Sequence, residues 1–531
     1  MENNNLNYTP TTSSQTPQST ENKPTKKIIP FNKKDGIFAI VILLVSIFLV
    51  DSVMYSGYNL GFSIAMTILT IVCGIYCFAK SEKITPFPVF CLISAVAISI
   101  SFAIFNDSFV TFCGVVLILI LIALGLLNIS KQNSYEKDDE RGLLDIVRFW
   151  FELPFIKVGT TMSSIFSAKG KKSNTNIGII IASIFCAIPV AAIVFALLVS
   201  SDAAFEGFIE KVFSSGSVTE TIGSIIVGVI FFIFYFAIIF SVAKKEAKTA
   251  VSPAPTGSMP SVAITSFLSV ILGIYVLYMV SQLAYFFNAF LGILPENYSY
   301  SDYARRGFFE MCVICLINLA LIIIAISIVK KGDGNSIIPK ATKVVTTAIG
   351  AFSLLLTTTA ISKMFLYMDE HGLTRKRIIT SVFMVVMIII LAITILKIFI
   401  RKLPSIKIII TAVTIIGLLV CYVDIDTMVA KYNTEKYLAG EITTDAGYMK
   451  ELSDSAVPYI LKLAKSRTPL GNEARKELAS RYNKYFYVYN DEQDLSVDYQ
   501  EYNYSKQNAK TLLQNNRKEL DFKNADDVYD W

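Results

Sequence analysis

The chain has 531 residues, of which 53% are hydrophobic and 17% charged, and its formal net charge is +6. A soluble domain carries about 25% charged residues, so this composition excludes an ordinary soluble protein. Most of the charge lies between long apolar runs and in the C-terminal part of the chain. The composition therefore predicts an integral membrane protein.

Residues 1–34 are rich in Asn, Thr, Ser, Gln and Pro, and they end in a collar of lysines. Such a segment has too little apolar content to fold, so we predict a disordered polar and basic tail. The first apolar run begins near Ile37, behind this long polar stretch, and no signal peptide is expected.

Eleven apolar runs follow, each of about 17 to 25 residues, a length that crosses the roughly 30 Å hydrocarbon core as a helix. Because lipid offers backbone amides no other partner, these runs must be helical. We therefore predict an all-α, polytopic bundle over residues 35–422. Its helices are expected at about 37–54, 60–79, 88–105, 109–128, 177–200, 222–243, 262–286, 308–329, 344–366, 378–399 and 406–422.

The distribution of Lys and Arg predicts the orientation of the bundle. With the N-terminus in the cytoplasm, the cytoplasmic segments carry 26 basic residues and the outer loops carry 6. Eleven crossings then place the C-terminal tail outside the cytoplasm. Arg375, Lys376 and Arg377 are the exception, because they fall in an outer loop.

The longest cytoplasmic segment, 129–176, contains Leu143, Val147 and Trp150 at helical spacing. This pattern predicts an amphipathic helix that Pro154 ends. Two placements stay open: the helix lies in the membrane interface with Trp150 at headgroup level, or it packs against the cytoplasmic end of the bundle.

Beyond Tyr422 the apolar residues occur in short helical patterns, and tyrosine is abundant. We predict that residues 423–531 form a small, mainly helical soluble domain. Asp445 and Ser453 are candidate helix caps. The aromatic alternation at 485–489 indicates one strand.

The chain offers little catalytic chemistry. His371 is its single histidine and lies in a charged loop, which favours a solvated turn residue. Cys312 and Cys315 have metal-ligand spacing, but no second pair accompanies them, so we interpret them as small apolar residues. No nucleotide-binding or hydrolase motif is present. We expect no catalytic, cofactor or metal site and lean against an enzyme.

Five short motifs occur in order along the chain: Ser200–Phe205, Gln282–Tyr285, Tyr303–Glu310, Leu366-Tyr367 with Gly372-Leu373-Thr374 and Arg377, and Asp426 with Ala430–Asn433. Together they resemble a bacterial membrane family known as domain of unknown function 4173, which has a close relative numbered 4153. Lys363 and His371 depart from the family pattern, where an arginine and an aromatic residue are expected. The resemblance implies a polytopic architecture but no activity.

Polar residues in the predicted helices gather near their outer ends. Ionisable groups at membrane depth usually face the bundle interior or a water-filled cavity. This favours an outer vestibule, whereas the alternative is a set of helix-end charges that reach the headgroups. The candidate outer polar cluster consists of Asp202, Gln282, Arg305, Glu310, Lys363 and Asp426.

Taken together, the sequence predicts a multi-pass protein of the bacterial plasma membrane. We expect a non-enzymatic component of envelope sensing, signalling or assembly, with the lipid bilayer as its surroundings and a protein partner on the C-terminal domain. No nucleic-acid partner is expected. The alternative is a transporter or permease for a small solute or lipid.

Overall fold

The computed structural model describes residues 29–81, 85–134, 140–167, 194, 198, 201, 216–247, 259–291, 308–329, 338–400, 402–442, 444, 446–486 and 499–520. In chain order the described helices are α1 (Lys33–Asp51), α2 (Leu60–Phe78), α3 (Pro86–Ser101), α4 (Ser108–Ser130), α5 (Leu144–Val147), α6 (Leu153–Ser167), α7 (Gly216–Ala243), α8 (Ser261–Leu291), α9 (Phe308–Ile328), α10 (Lys340–His371), α11 (Arg375–Phe399), α12 (Ser405–Tyr422), α13 (Ile425–Leu438), α14 (Gly447–Glu451), α15 (Val457–Ala464), α16 (Pro469–Phe486) and α17 (Tyr504–Asn515).

Nine of the described helices are long and apolar enough to cross a membrane, namely α1, α2, α4 and α7 to α12. A tenth, α3, is apolar but has only 16 residues, and it packs between α2 and α4. Of the predicted helix at 177–200, the structure describes only residues 194 and 198, which are helical. The described residues form no strand beyond an isolated bridge between Met259 and Val329. The predicted all-α membrane bundle is confirmed.

Polar contacts at the two ends of α1 fix the direction of its neighbours. At one end, Asp35 is buried and accepts hydrogen bonds from Lys80 at 2.7 Å and Lys244 at 2.6 Å. At the other end, the Ser224 hydroxyl donates to Asp51 at 2.7 Å. Helix α7 therefore runs antiparallel to α1. We call the end that contains Asp35 the N-terminal side and the end that contains Asp51 the tail side.

The bundle has two groups of helices that α12 connects. Helices α1 to α4 and α7 share one hydrophobic core, and α8 to α11 surround two smaller apolar clusters. Helix α12 packs against α3 and α4 on one side and against α11 on the other. Its position brings the start of α11 close to the α3–α4 connection.

The segment from α5 to α6 lies against the bundle with one face and is exposed along the other. Phe149 is fully buried, and the Trp150 indole donates to the carbonyl of Leu119 at 3.1 Å, whereas Phe151 and Phe155 are exposed. The prediction that Pro154 ends this helix is wrong. A π-helical turn at Arg148–Glu152 directly precedes Leu153 and Pro154, and the helical backbone continues past the proline to Ser167.

The tail after α12 is helical in its described residues and has its own apolar core. Buried side chains from α13 to α17, such as Val429, Leu463 and Leu478, form this core. The strand predicted from 485–489 is wrong at its start, because Tyr485 and Phe486 complete α16. The remaining positions of that pattern lie outside the described residues, as does Asp445. Ser453 precedes a 3₁₀ turn but makes no side-chain cap.

Candidate functional site: the tail junction

The tail is joined to the bundle by an ion cluster of Asp107, Arg375 and Asp426. Arg375 is the first residue of α11, Asp107 is the N-cap of α4, and Asp426 lies in the first turn of α13. The Arg375 Nε atom is 2.8 Å from Asp426 Oδ1 and 3.2 Å from Asp107 Oδ2, and its Nη2 contacts Asp426 Oδ2. One guanidinium therefore binds two carboxylates from different parts of the chain.

Both carboxylates of the ion cluster have further partners. Asp426 is 1% exposed and also accepts a hydrogen bond from the backbone N–H of Ser453 at 2.7 Å. Asp107 Oδ1 accepts from the backbone N–H groups of Phe109 and Val110 at 2.9 and 3.1 Å. Burial raises the pKa of Asp107 above its usual range, and the nearby Asp426 charge acts in the same direction. The cluster is thus a buried, hydrogen-bonded contact rather than a solvated surface pair.

The turn between α10 and α11 is clamped by a side chain from the tail. The Asn433 amide accepts a hydrogen bond from the N–H of Leu373 at 2.8 Å and donates to the carbonyl of Leu373 at 2.7 Å. Gly372 has a φ of +76°, and an added Cβ there would lie 2.6 Å from Asn433 Oδ1. The close approach therefore requires glycine at this position.

Arg377 stabilises the same turn from the membrane helix. Its guanidinium lies 4.0 Å from the centre of the Tyr367 ring and donates to the carbonyl of His371 at 3.3 Å and that of Gly372 at 2.5 Å. A hydrogen-bonded guanidinium on an aromatic face holds the last residues of α10 in place. Gly372 and Arg377 belong to the fourth of the five sequence motifs, and Asp426 and Asn433 belong to the fifth. The fold brings these two motifs together.

A second polar contact centres on Asp454 in the tail. Asp454 Oδ2 accepts from the Asn106 amide at 2.6 Å, and its Oδ1 accepts from the Tyr485 hydroxyl. Arg481 lies 3.8 Å from the same carboxylate and donates to the carbonyls of Met449 and Leu452 at 2.8 Å each. Asp454 thus connects the α3–α4 connection with α16.

The segment at 499–505 attaches the tail to the bundle through its backbone. The N–H groups of Tyr504 and Ser505 donate to the carbonyls of Ala103 and Ile104 at 3.0 Å each. The Tyr502 carbonyl accepts from the N–H of Leu60 at 3.0 Å. These bonds give otherwise unpaired backbone groups at helix ends a partner. We call the whole surface formed by the ion cluster, the clamped turn, Asp454 and residues 499–505 the tail junction.

The predicted outer polar cluster is only partly described. Asp202 and Arg305 lie outside the described residues, and Gln282 lies on α8 with no described side chain. Glu310 is exposed in the first turn of α9, and Lys363 is half-buried on α10. Asp426 is the member that enters the tail junction.

Sequence reasoning missed Asp107 as a site residue and counted Arg375 only as an exception to the charge asymmetry. That exception was a usable signal, because the three basic residues of that loop all find partners at the tail side. Arg375 binds the two aspartates, Arg377 binds carbonyls, and Lys376 lies 2.5 Å from Glu451. Nothing local to Asp107 distinguishes it from an ordinary N-cap.

The chemistry of the tail junction is that of attachment. Its acids and bases are paired with one another or with backbone groups, as their hydrogen bonds show. Among the described residues, no group of three or more His, Cys, Asp and Glu side chains is arranged to hold a metal ion. His371 lies at the end of α10, with its ring 5.0 Å from that of Tyr367.

Comparison with protein families identifies the family of this chain. Residues 92–463 match the family model described as Domain of unknown function (DUF4153). The chain belongs to this family. The match is to domain of unknown function 4153, the close relative of family 4173. The resemblance to family 4173 itself is not shown. The matched region includes the ion cluster and the clamped turn, while residues 499–505 lie beyond it. No curated protein and no solved structure matches the chain.

Proposed function

We propose that this integral membrane protein is a non-enzymatic sensing, signalling or assembly component of the bacterial plasma membrane. Its tail, residues 423–531, is the domain that meets a protein partner, and its attachment couples that partner to the membrane helices. The observation that carries the proposal is the ion cluster. Because Arg375 binds Asp107 and Asp426 together, a displacement of α13 pulls directly on the ends of α4 and α11.

The proposed orientation has the N-terminus in the cytoplasm and the tail outside. The excess of basic residues in the segments on the N-terminal side supports it. Arg375, Lys376 and Arg377 are basic residues on the proposed outer side, where the positive-inside rule disfavours them. Each is paired with an acid or bound to a carbonyl, which reduces the weight of this exception.

Site-specific photo-crosslinking in intact cells tests the partner. A benzoylphenylalanine at the exposed tail positions Leu438 or Lys462 should give a discrete protein adduct. The same group at Ile93 or Phe112, exposed on apolar membrane helices, is the matched control and should react with lipid only. Arg375→Met should weaken the tail adduct at equal protein level. Tail positions that give no protein adduct would refute the proposed role of the tail.

A transporter or permease is the second candidate, and one contact in the membrane favours it. Asn318 is fully buried on α9, where it accepts from the Tyr275 hydroxyl at 2.6 Å and donates to Ser353 at 2.9 Å. Polar groups shared by three membrane helices either hold the helices together or line a path. Solute flux in proteoliposomes that Asn318→Leu abolishes would support transport. If neither the wild type nor Asn318→Leu supports solute flux, the buried Asn318 serves to hold the helices together.

The outer polar cluster of Asp202, Gln282, Arg305, Glu310 and Lys363 with Asp426 stays a proposal. If these residues share one vestibule, removal of one charge changes the cost of removing the next. Glu310→Gln and Lys363→Met should then be non-additive in the melting temperature of the purified protein. Additive small losses would assign both to independent helix-end positions.

A further inference from the structure

A cleft between α9, α10 and α11 is lined mainly by sulfur-containing side chains. Its walls include Met311, Cys312, Cys315, Met384 and Met387. Cys312 and Cys315 are three residues apart on α9, as are Met384 and Met387 on α11, so each pair projects from one face of its helix. We call these five residues the sulfur cleft.

The donors of the sulfur cleft are held inside the protein. Met384, Cys315 and Met387 are 1%, 3% and 4% exposed, and Met311 is also buried, whereas Cys312 is half-buried. The Cys315 Sγ atom lies 3.4 Å from the hydroxyl of Thr357, which fixes the position of the thiol. Buried neighbours in contact restrict the rotamers of the thioethers, and a binding site needs such fixed donors.

We propose that the sulfur cleft binds a single soft monovalent cation, Cu(I) or Ag(I). Thiolate and thioether ligands select soft ions, whereas hard ions such as Mg²⁺ and Ca²⁺ require oxygen ligands. No carboxylate or imidazole lines the cleft among the residues that the structure describes. The proposal is independent of the proposed function, because it uses no residue of the tail junction.

The net charge of the bound complex explains why an apolar site favours a monovalent ion. The Cys315 thiol binds Cu(I) by exchanging its proton for the metal, so one S–H bond breaks, one S–Cu bond forms and one proton leaves to solvent. The resulting Cu(I)–thiolate is neutral, and the thioethers of Met384 and Met387 complete the coordination without adding charge. A neutral complex avoids the large cost of placing a net charge in a low-dielectric interior.

The pattern also explains why no metal site is visible from the cysteines alone. A cysteine pair three apart on a membrane helix is most often two small apolar residues. The decisive donors come from α11, whose methionines are remote in sequence and reach the cysteines only in the folded bundle. Methionine is a common core residue, so its presence in the sequence carries no separate signal.

Competition with bicinchoninate, a chromophoric Cu(I) chelator, tests the proposal on the reduced full-length protein in detergent. The wild-type protein should retain one equivalent of Cu(I), and Ag(I) should raise its melting temperature. Cys315→Ser and the double variant Met384→Leu/Met387→Leu should each weaken retention about tenfold or more, and should abolish the Ag(I) shift. Leucine conserves the volume of methionine, so the double variant keeps the fold even if Cys315→Ser does not.

The matched control is Met364→Leu/Met368→Leu. These two methionines are buried in the same apolar cluster but do not line the cleft. They should leave Cu(I) retention unchanged. Absence of retained Cu(I) in the wild-type protein would overturn the proposal. So would equal retention in the cleft variants and the control, since the ion would then bind elsewhere, or displacement of the Cu(I) by an equal concentration of Zn(II).

Discussion

Arg375 illustrates how a single side chain joins distant parts of this chain. Its guanidinium has two carboxylate partners, and both lie on segments that precede or follow α11 by many residues. A planar guanidinium can bind two carboxylates at once, which a lysine ammonium does less well. With Arg375 removed, the buried Asp426 would keep only its hydrogen bond from Ser453. The tail junction therefore depends strongly on this one residue.

We predict that Arg375→Met lowers the free energy of unfolding by about 3–5 kcal/mol, the usual cost of breaking a buried ion pair. The double variant Arg375→Met/Asp426→Asn should lose less than the sum of the single losses, because the second change removes the unpaired charge. Lys376→Met is the control, since its side chain is 78% exposed and its pair with Glu451 is worth about 0–1 kcal/mol. Thermal unfolding in detergent measures the single variants Arg375→Met and Asp426→Asn, their double variant and the control Lys376→Met. Equal losses for Arg375→Met and Lys376→Met would contradict the prediction.

Asp107 predicts a pH dependence at the same place. Burial raises its pKa, so the folded state binds this proton more readily than the unfolded state does. The stability that this preference contributes is fully present below the unfolded pKa of about 3.9 and is lost as pH rises through the higher folded value. Asp107→Asn cannot ionise, and asparagine is also a good N-cap. The melting temperature of Asp107→Asn should therefore improve relative to the wild type as pH rises from about 4 to 7. A difference that does not change with pH would show that the Asp107 pKa is not raised.

At the scale of elements, the turn between α10 and α11 is the part of the bundle that the tail holds most closely. Helix α10 ends at His371, and α11 starts after a three-residue connection capped by Thr374. Asn433 of α13 binds both backbone groups of Leu373. The backbone of the turn therefore bonds to the Asn433 side chain and not to water. Any side chain added at Gly372 would collide with Asn433.

Two glycines allow a matched test of this turn. Gly372 and Gly440 both have a positive φ, +76° and +75°, but a Cβ at Gly440 would meet nothing within 4 Å. Gly440→Ala should cost about 1 kcal/mol for the left-handed backbone alone. Gly372→Ala should cost more, by roughly 1–3 kcal/mol, because its ψ of −179° is a conformation that alanine rarely adopts and because the added Cβ displaces Asn433 and leaves the N–H of Leu373 unpaired. Chemical or thermal denaturation measures the difference, and equal losses would show that Asn433 does not clamp the turn.

At the scale of the whole molecule, the chain starts its first membrane helix at one side and attaches its tail at the other. Asp35 and Lys244 mark the N-terminal side, and residues 499–505 lie against the ends of α2 and α3 at the tail side. The tail has a core of its own but uses the bundle for many polar contacts. Bundle and tail are therefore joined at several independent points rather than by one hinge.

This arrangement predicts the labelling of two engineered cysteines. In a background without the native cysteines, one at Asn5 should be shielded from an impermeant thiol reagent in intact cells, and one at Asn524 should react. The physical reason is the proposed orientation, which follows from the excess of basic residues on the N-terminal side. Reversed labelling would reverse the orientation. Protection of both would mean that an even number of helices crosses the membrane.

A fragment of residues 423–531 tests how far the tail depends on the bundle. Its apolar core comes chiefly from residues between Ile425 and Leu520, so the fragment should be a monodisperse, mainly helical protein. Loss of its polar partners on the bundle should lower its melting temperature but not its helix content. Circular dichroism measures both, and the spectrum of a disordered chain would show that the tail folds only against the bundle.

The sequence by itself determined the class of this protein and most of its membrane helices. Hydrophobic length is a local property, and lipid forces each apolar run to satisfy its backbone internally, so no tertiary contact was needed to predict α1, α4 or α9. The end predicted at Pro154 is wrong because the π-helical turn before it lets the helix continue past a proline, and such a turn has no signature in hydropathy.

Only the tertiary structure decided which polar residues meet. Arg375, Asp107 and Asp426 are each ordinary helix-end residues in the sequence, and their pairing depends on how α4, α11 and α13 pack. The same holds for the sulfur cleft, because thiols on α9 and thioethers on α11 come together only in the bundle. Side-chain contacts between distant segments leave no periodic pattern in a single sequence. The physical reason is that such contacts are set by helix packing, whereas hydropathy is set residue by residue.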